Sequence, residues 1–462
     1  MRKILIISLL FLTACSTFVP ALFPVSAPAA VLDIRTHPDG MLYAGDLVSF
    51  EVINPVQDQT NQGSVKISLD GKVLGDAAFS NYGLGNRSQA TFYWVWDTRS
   101  IKPGDYKLTF TLQPQNMQEE KVITLLPGNQ MPPPGAGASW KAGESACCVI
   151  RYVTGTDAER DLEKLKILAD AQAADVEKRM QVTPKQKIPL AYFPRTLGHG
   201  GFASEGIYIS YLDQNYAGST TAQVTHHEMV HWFDGQLGGS LRPSMMQEGL
   251  AVYLSGGHFK PEPLIPRAAA LLDLGWYIPL RTLVDSFYTQ QHEIGYAEAG
   301  AFIAYLVNVH GWDGFNSFYR SIQPASDGKE STALDNALQK EFHQSLTQLE
   351  TSYKEYLKNQ AFQVEDRQDL QTTVAFYNAV RRYESLLDPS AYFLYAWLPD
   401  MKMMQNENIT ADFSRHPMSL TNTMFENLLI QGNKYLLTGD LKAADRVISL
   451  VNSLLDFYEK SH

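Results

Sequence analysis

The sequence predicts a multi-domain chain with a strand-rich sandwich first, an α+β region next and a region of helices alone at the end. Its 462 residues suffice for roughly three domains, at about 150 residues each. Hydrophobic residues make up 45% and charged residues 19% of the chain, which is the balance of an ordinary globular protein. The hydrophobic pattern then changes from alternation to helical spacing along the chain, which sets the predicted order of the regions.

The net charge excludes one class of partner. Lys and Arg number 38 and Asp and Glu number 49, so the chain carries a formal charge of −11 with neutral His. A nucleic-acid binder needs a basic surface to meet the phosphates, and we therefore expect no nucleic-acid partner. The sequence does not set the oligomeric state.

The first residues have the pattern of a bacterial lipoprotein signal. Arg2 and Lys3 give a positive start, and residues 4–12 form an apolar run that is too short to cross a bilayer as a helix. Small residues then lead to Cys15, in an arrangement that resembles a lipobox. Residues 1–14 are therefore predicted to be a lipoprotein signal peptide.

The lipobox predicts where the mature protein is found. Cys15 would carry the lipid, and residues 15–30, rich in Pro, Ala and Ser, would be a tether. We expect an extracytoplasmic lipoprotein that is anchored to a membrane of the bacterial cell envelope. The alternative is an ordinary signal peptide followed by an incidental cysteine.

Residues 31–127 are predicted to form an immunoglobulin-like β-sandwich. Val65, Ile67 and Leu69 alternate with polar neighbours, and the hairpin dipeptide Asp70-Gly71 follows them. Similar short alternating runs recur with turn signals between them, as in small two-sheet folds. Residue types used in catalysis do not cluster here, so a spacer or adhesion module is expected.

Residues 128–146 are predicted to be a linker, because Pro and Gly at the density of Pro132 to Gly137 cannot pack a core. Two adjacent cysteines, Cys147 and Cys148, follow it. Neighbouring Cα atoms are closer than most disulfides allow. We expect both cysteines to be reduced and buried at the start of a strand, with a vicinal disulfide as the alternative.

Residues 147–360 are predicted to be an α+β domain with strands first and helices after. Strands are predicted at 149–153, 188–193 and 206–211, and helices at 157–180, 297–309, 334–338 and 346–357. Residues 361–462 are predicted to be all-α and to pack as a cap on this domain. No clean 34-residue period marks a repeat array there.

The segment that carries chemistry is H-E-x-x-H at residues 227–231. On a helix, His227 and His231 are one turn apart on one face, so both imidazoles can reach one metal ion. Glu228 lies beside them and can contact a water molecule instead of the metal. Neutral imidazole suits zinc, and one further protein ligand would leave a fourth position open for water.

Glu248 is the candidate third ligand. Residues 235–243 allow a second helix to turn back on the first, and Ser244 with Gln247 can form a capping box at its start. Glu248 would then present its carboxylate to the same ion. Before the motif, residues 207–209 are predicted to be a strand along the cleft, where an extended substrate could pair.

H-E-x-x-H followed by E-G-L-A-x-Y at residues 248–253 resembles the gluzincin metallopeptidases of the MA clan. The resemblance covers roughly residues 148–357, less than half of the chain. It implies a zincin metallopeptidase domain, with His227, His231 and Glu248 as ligands of one zinc ion. It implies that Glu228 is the general base. The interval between His231 and Glu248 is slightly shorter than in the aminopeptidase branch.

A second segment, residues 295–306, is similar to the helix start that bears the catalytic tyrosine in aminopeptidase-like gluzincins. The resemblance implies that Tyr296 donates a hydrogen bond to the oxyanion. The alternative is a tyrosine that only packs on the core. The G-x-M-E-N segment, whose Glu holds the substrate amine in aminopeptidases, is absent from residues 201–206, and Glu205 receives no role. An endopeptidase is therefore expected.

Other polar residues near the motif are weaker candidates. Asp234 could hold a ligand imidazole through its free N–H. Val252 occupies the position, one turn after Glu248, where the family commonly has a carboxylate, so the orienting partner of His231 stays open. Four other histidines are expected to be structural or at the surface, although His199 could line the cleft: His199, His226, His292 and His310.

Taken together, the sequence predicts a zinc-dependent peptidase that hydrolyses peptides or proteins outside the cytoplasm. One alternative is a surface binding or structural lipoprotein on an inactive zincin scaffold. Another is a zinc hydrolase of a non-peptide bond in the envelope. Loss of zinc binding would favour the first, and failure to cleave an unstructured protein would favour the second. The substrate itself is not predicted.

Overall fold

The structure is a computed structural model that describes residues 32–54, 62–195 and 200–461. The predicted signal peptide and tether, together with Cys15 and His199, lie outside the described residues. Among the residues that are described, no helix combines the length and the apolar character needed to span a bilayer.

The N-terminal part, here called the two-sheet region (residues 32–126), is built from short strands. They are β1 (Asp33–His37), β2 (Leu42–Tyr43), β3 (Leu47–Ile53), β4 (Ser64–Leu69), β5 (Lys72–Ala78), β6 (Ser80–Tyr82), β7 (Arg87–Asp97), β8 (Gly104–Gln113) and β9 (Met117–Leu126). One sheet has the order β1-β3-β7-β6 and the other the order β2-β9-β8-β4-β5. The predicted strand-rich start of the chain is confirmed.

The two sheets enclose one core because their apolar residues alternate. Phe50 of β3 and Phe110 of β8 are fully buried, and their rings meet edge to face with centroids 5.6 Å apart. The hairpin predicted at Asp70-Gly71 joins β4 to β5. Both turn residues have positive φ, 50° and 78°, which is the conformation that a two-residue hairpin turn requires.

A third sheet, here called the mixed sheet, lies in the middle of the chain. Its strands are β10 (Trp140–Glu144), β11 (Cys148–Val153), β12 (Ile188–Phe193), β13 (Gly201–Ala203) and β14 (Ile207–Ser210). Their order is β10-β11-β12-β14-β13, in which β11, β12 and β14 are parallel and the two edge strands are antiparallel. The predicted strands at 149–153, 188–193 and 206–211 agree with β11, β12 and β14 within a residue or so.

Two expectations for this part of the chain are wrong. The predicted linker, residues 128–146, contains the strand β10. Beyond the Pro/Gly stretch, the backbone of β10 pairs with that of β11 and extends the sheet at its edge. Cys147 and Cys148 form a disulfide and are not reduced. Asp170 holds their turn, since its carboxylate accepts hydrogen bonds from the backbone N–H of Ala146 (3.2 Å) and Cys147 (2.8 Å).

Helices follow the strands. They are α1 (Asp157–Arg160), α2 (Leu162–Met180), α3 (Thr221–Leu237), α4 (Ser244–Ser255), α5 (Leu264–Asp273), α6 (Leu280–Asp285), α7 (His292–Ser321), α8 (Glu330–Phe342), α9 (Leu346–Lys358), α10 (Val364–Leu387), α11 (Met401–Asn406), α12 (Ala411–Ser414), α13 (Leu420–Leu437) and α14 (Leu441–Ser461). The predicted helix at 157–180 is divided at Asp161, and its apolar stripe is buried on the sheet. The helix predicted at 297–309 is longer and is interrupted at Gly311, where φ is 72°.

The helices α3 and α4, which carry the two sequence motifs, begin in different ways. Thr220 caps α3, because its side chain accepts a hydrogen bond from the backbone N–H of Gln223 (3.3 Å). The capping box expected from Ser244 and Gln247 is wrong. Pro243 precedes the first residue of α4, and the Gln247 amide donates instead to the carbonyl of Arg242 (2.6 Å).

The C-terminal region is helical as predicted, apart from connecting segments such as residues 388–400. Helices α10, α13 and α14 share one core, which also includes Tyr216, Ala217 and Phe259 from the preceding region. The two-sheet region, predicted to be a spacer or adhesion module, contacts the C-terminal region, where Asp46 accepts a bidentate pair from Arg415 (2.6 and 2.8 Å). His37 also stacks on Trp397, with ring centroids 3.9 Å apart. The immunoglobulin-like and zincin assignments stay predictions.

The interface between the two-sheet region and the C-terminal region contains a buried carboxylate. Asp412 accepts a hydrogen bond from the indole N–H of Trp397 (2.9 Å). Burial raises the pKa of Asp412 to about 6, although the Trp397 hydrogen bond and nearby His37 act in the opposite direction. Because the folded pKa lies above the unfolded one, the stability gained from protonated Asp412 is fully present below about pH 3.9 and is lost as pH rises through about 6.

We expect Asp412→Asn to remove this loss, because Asn stays neutral and can still accept from Trp397. The free energy of unfolding of the variant, relative to wild type, should rise by about 1–3 kcal/mol between about pH 4 and about pH 7. Thermal and urea unfolding followed by circular dichroism at several pH values would measure it. The exposed Asp76→Asn is the control, and a difference that stays constant with pH would contradict the prediction.

Candidate metal centre

Helix α3 lies against the edge strand β13 of the mixed sheet. A Cβ atom on Gly201 of β13 would lie only 3.0 Å from Cγ of Glu228 and 3.1 Å from Cγ1 of Val224. The glycine therefore permits the close approach of strand and helix that brings Glu228 to the edge of the sheet. The strand predicted to lie along the cleft, 207–209, is instead internal as β14, and β13 takes the edge position.

Helix α4 carries Glu248 and lies close against α7 because each helix has a glycine at the contact. A Cβ on Gly249 would meet the carbonyl oxygen of Ala299 at 2.7 Å, and one on Gly300 would meet Cγ1 of Val252 at 2.4 Å. A larger residue at either position would push the two helices apart. Their close packing fixes the position of α4 and hence that of Glu248.

The three predicted ligands come together. Nε2 of His227 lies 3.1 Å from Nε2 of His231, and each of these nitrogens lies 3.2 Å from Oε2 of Glu248. The three atoms thus form a nearly equilateral triangle, here called the ligand triangle. His227 and Glu248 are each only 9% exposed, so the triangle opens only toward the adjoining cavity.

The ligand triangle has the size that zinc requires. Tetrahedral ligands at about 2.0–2.1 Å from zinc are about 3.3 Å from one another. Two imidazole nitrogens and one carboxylate oxygen, 3.1–3.2 Å apart, satisfy that spacing and leave one position free. Calcium and magnesium would need six or more oxygen ligands, which this group does not offer. The residues therefore fit one zinc ion.

The charges of the ligand triangle are strongly coupled. Burial lowers the pKa of His227 to about 4. Burial would also lower that of His231, but the Glu248 carboxylate outweighs it and raises the pKa of His231 to about 9. The two histidines hold the pKa of Glu248 well below its usual range despite its burial. A bound cation would supply the positive charge that these groups otherwise take from a proton.

Glu228 lies outside the ligand triangle and lines the adjoining cavity. Burial raises the pKa of this carboxyl group to about 7, although the positive charge of His231 opposes the shift. A carboxyl group with a pKa near neutrality can both accept and return a proton, which is the property that general acid–base catalysis uses.

Tyr288 holds the third ligand and was not predicted. Its hydroxyl donates a hydrogen bond to Oε1 of Glu248 (2.8 Å), so the two carboxylate oxygens are divided between the histidines and this phenol. Tyr288 belongs to a short 3-10 turn, Phe287–Thr289, just before α7. No spacing motif marks this position, and only the structure shows its contact with Glu248.

Asp234 does not take the role suggested for it. Its carboxylate accepts hydrogen bonds from Arg242 (2.9 Å) and Tyr319 (3.1 Å) and pairs with Arg320 (2.6 Å). Within the described part of the chain, no hydrogen bond joins Asp234 to the imidazole of His227 or His231. Asp234 therefore fastens the end of α3 to α7, and the orienting partner of His231 is not identified.

Two histidines, His226 and His310, have structural contacts, as expected. His226 contacts Asp175 through Nε2 (2.9 Å) and Ser255 through Nδ1 (3.0 Å), away from the ligand triangle. His310 stacks on Phe342 with ring centroids 3.6 Å apart.

His292 differs from that expectation, because it lines the cavity beside the ligand triangle. Nδ1 of His292 and Nδ1 of His258 each lie 3.0 Å from Oε1 of Glu293. These three residues form a second group of potential metal-ligating side chains. His258 and Glu293 carry no recognisable motif and were not selected from the sequence.

Tyr296, for which the family resemblance implies a hydrogen bond to the oxyanion, lies in the wall of the cavity. It is buried near the start of α7 and lines the cavity. Its ring stacks on that of His258, with centroids 4.0 Å apart, and lies 6.4 Å from the ring of His227. A phenol here is close to the ligand triangle, but it is Tyr288, and not Tyr296, that contacts a ligand directly.

The cavity measures about 730 Å³ and has walls from the two-sheet region, the middle of the chain and the C-terminal region. The two-sheet region contributes Gly83 and Leu84, the edge strand contributes residues 200–204, and the C-terminal region contributes Arg381 and Phe393. A cavity of this volume is within the range of small-molecule and peptide sites. Its position places the ligand triangle in one wall of a chamber formed by distant segments.

Comparison of the chain with protein-family models, with curated proteins and with solved structures found no match. The chemical interpretation of the cavity therefore depends on its geometry and on the sequence motif.

We expect purified residues 31–462 to bind about one zinc ion per chain, and His227→Ala to bind none, because the ligand triangle offers one four-coordinate site. Metal analysis after dialysis would measure the stoichiometry. His310→Ala, which removes a histidine remote from the triangle, should retain about one zinc ion. Equal zinc content in His227→Ala and wild type would contradict the assignment.

Tyr288→Phe should weaken zinc binding by about 10–100-fold, because Glu248 would lose the hydrogen bond that orients it. Competition with a chromophoric chelator would measure the dissociation constant. Tyr277→Phe is a matched control, since Tyr277 also donates to a carboxylate, that of Glu350 (3.1 Å), but outside the cavity. An unchanged zinc affinity in Tyr288→Phe would show that this phenol does not orient the ligand.

Proposed function

We propose that this protein is a zinc-dependent peptidase of the gluzincin type. The observation that carries the proposal is the ligand triangle, with spacings of 3.1–3.2 Å, together with Glu228 at the wall of the same cavity. This combination is what hydrolysis by an activated water molecule needs: a metal site with an open position and a carboxylate beside it.

The proposal includes the fold and the compartment. The two-sheet region would be an immunoglobulin-like sandwich, and the mixed sheet with α2 to α9 would be the zincin metallopeptidase domain. The pattern of residues 1–15 supports a lipoprotein that is anchored outside the cytoplasm through Cys15. Peptides or proteins of that compartment would be its substrates.

In the proposed mechanism, zinc, when bound, supplies a Lewis acid and makes a water molecule acidic enough to lose a proton near neutral pH. Glu228, which lines the same cavity as the ligand triangle, would accept that proton and pass it to the leaving amine. The hydroxyl of Tyr296 donates a hydrogen bond to the oxygen that becomes negative. Tyr288 keeps Glu248 oriented throughout.

The backbone of the substrate would pair with β13. This strand has β14 on one side only, and its residues line the cavity. An extended peptide can add to such an edge through main-chain hydrogen bonds, which do not depend on sequence. Glu205 is not among the residues that line the cavity, which supports an endopeptidase over an aminopeptidase.

Glu228→Gln should keep about one zinc ion per chain and lower kcat/KM by about 10²–10⁴-fold, because the glutamine amide cannot accept the proton. Cleavage of casein and of a quenched fluorescent peptide library by the zinc-loaded chain would measure the loss. Glu205→Gln, a carboxylate outside the cavity, is the control and should retain both zinc and activity.

Two outcomes would contradict the proposal. Cleavage by Glu228→Gln at the wild-type rate would remove Glu228 from the mechanism. A wild-type chain that binds zinc but cleaves no peptide would instead favour a binding lipoprotein or a hydrolase of a non-peptide bond.

A further inference from the structure

A buried cation lines the cavity from the side of the C-terminal region. Arg381 lies on α10, and its Nη1 donates a hydrogen bond to Oε2 of Glu384 (2.7 Å). Its guanidinium carbon lies 4.8 Å from the ring centroid of Phe393. The side chain is 19% exposed, so it is accessible only through the cavity that it lines.

The guanidinium of Arg381 is incompletely paired. Of its three nitrogens, only Nη1 has a hydrogen bond to a described residue, and Nε is buried without a partner. Nε and Nη2 form one edge of the planar group, and two parallel N–H bonds point outward from that edge. Leaving such donors unpaired in a buried position is costly, so the edge favours a ligand that offers two acceptor oxygens.

A continuous wall of rings leads from Arg381 to the ligand triangle. The ring of His292 lies 4.8 Å from that of Phe393 and 4.9 Å from that of His258. The ring of His258 lies 5.8 Å from that of His227. A substrate that spans this wall would contact Arg381 with one group and present another to the metal.

The carboxylates near this wall are already engaged. Glu293 lies within hydrogen-bond distance of both His258 and His292, and Glu384 pairs with Arg381 and is approached by the hydroxyl of Tyr216 (3.4 Å). Glu384 balances the charge of Arg381 but occupies only one of its nitrogens. The described carboxylates therefore leave the Nε and Nη2 edge of Arg381 unpaired.

We propose that Arg381 is a specificity-determining residue that binds a carboxylate of the peptide substrate through Nε and Nη2. This inference rests on the proposed peptidase function. A planar guanidinium matches a carboxylate in two parallel hydrogen bonds, which a backbone carbonyl cannot provide. The carboxylate has two sources, the free C-terminus of the substrate or an Asp or Glu side chain.

The test measures binding to the full-length, zinc-loaded chain that carries Glu228→Gln, so that ligands are not cleaved. One pair of ligands is N-acetylated penta-alanine as the free acid and as the C-terminal amide. The other pair is the amide with Glu or with Gln at its middle residue. Calorimetry gives the ratio of dissociation constants within each pair.

We expect one pair to show a preference of about tenfold or more for the carboxylate, since hydrogen bonds to charged groups contribute that much. Arg381→Met should reduce the preference to less than about twofold. Arg382→Met is the matched control, because the neighbouring Arg382 pairs with Asp456 and Glu459 outside the cavity and should leave the ratio unchanged.

The pair that shows the preference identifies the source of the carboxylate, and either result supports the inference. Equal binding within both pairs, or a preference that survives Arg381→Met, would overturn it, including the case in which zinc itself holds the carboxylate. Cleavage of casein by wild type is measured separately, so peptidase activity without carboxylate preference would overturn this inference alone. A chain that neither cleaves casein nor binds these peptides would overturn both.

The ratio is taken on one protein, so a reduced folded fraction cancels. If Arg381→Met does not fold, Arg381→Lys replaces it. Lysine keeps the charge next to Glu384 but lacks the two parallel N–H bonds. The preference should then fall by more than half, and an unchanged preference would overturn the inference.

Discussion

The contact between α4 and α7 brings the three residues of the candidate metal centre together. His227 and His231 share a face because they are one turn apart on one helix, but Glu248 comes from another helix and must be brought to them. Gly249 and Gly300 allow α4 to lie directly on the backbone of α7. The same packing positions the start of α7, where the wall of rings begins. The ligand triangle and this wall therefore depend on one helix contact.

The sequence predicts well what local spacing determines. The helix of H-E-x-x-H, the parallel strands and the hairpin at Asp70-Gly71 all follow from periodicity and turn chemistry, which involve neighbours in the chain. Tyr288, His258 and Arg381 reach the cavity through tertiary packing, and nothing in their flanking residues reveals it. The edge strand β10 was not predicted for a similar reason. It is a strand because it pairs with β11, and its composition does not indicate this.

The contact between the two-sheet region and the C-terminal end of the chain could not be predicted, for a physical reason of the same kind. Alternation predicts two sheets and their core, but it does not show which outer surface is covered. Asp46 and His37 are polar residues of that surface, and they would be expected to face solvent. In the structure they meet Arg415 and Trp397, so the sheets are joined to the helical end of the chain.

The walls of the cavity come from segments about three hundred residues apart, from Gly83 to Phe393. Arg381 and Phe393 follow the residues of the ligand triangle in the chain, so this wall of the cavity is complete only when the C-terminal region is present. A chain that is shortened from its C-terminal end would retain the metal ligands but lose one wall. The candidate metal centre therefore cannot be excised from the chain with its cavity intact, because one wall would be left behind.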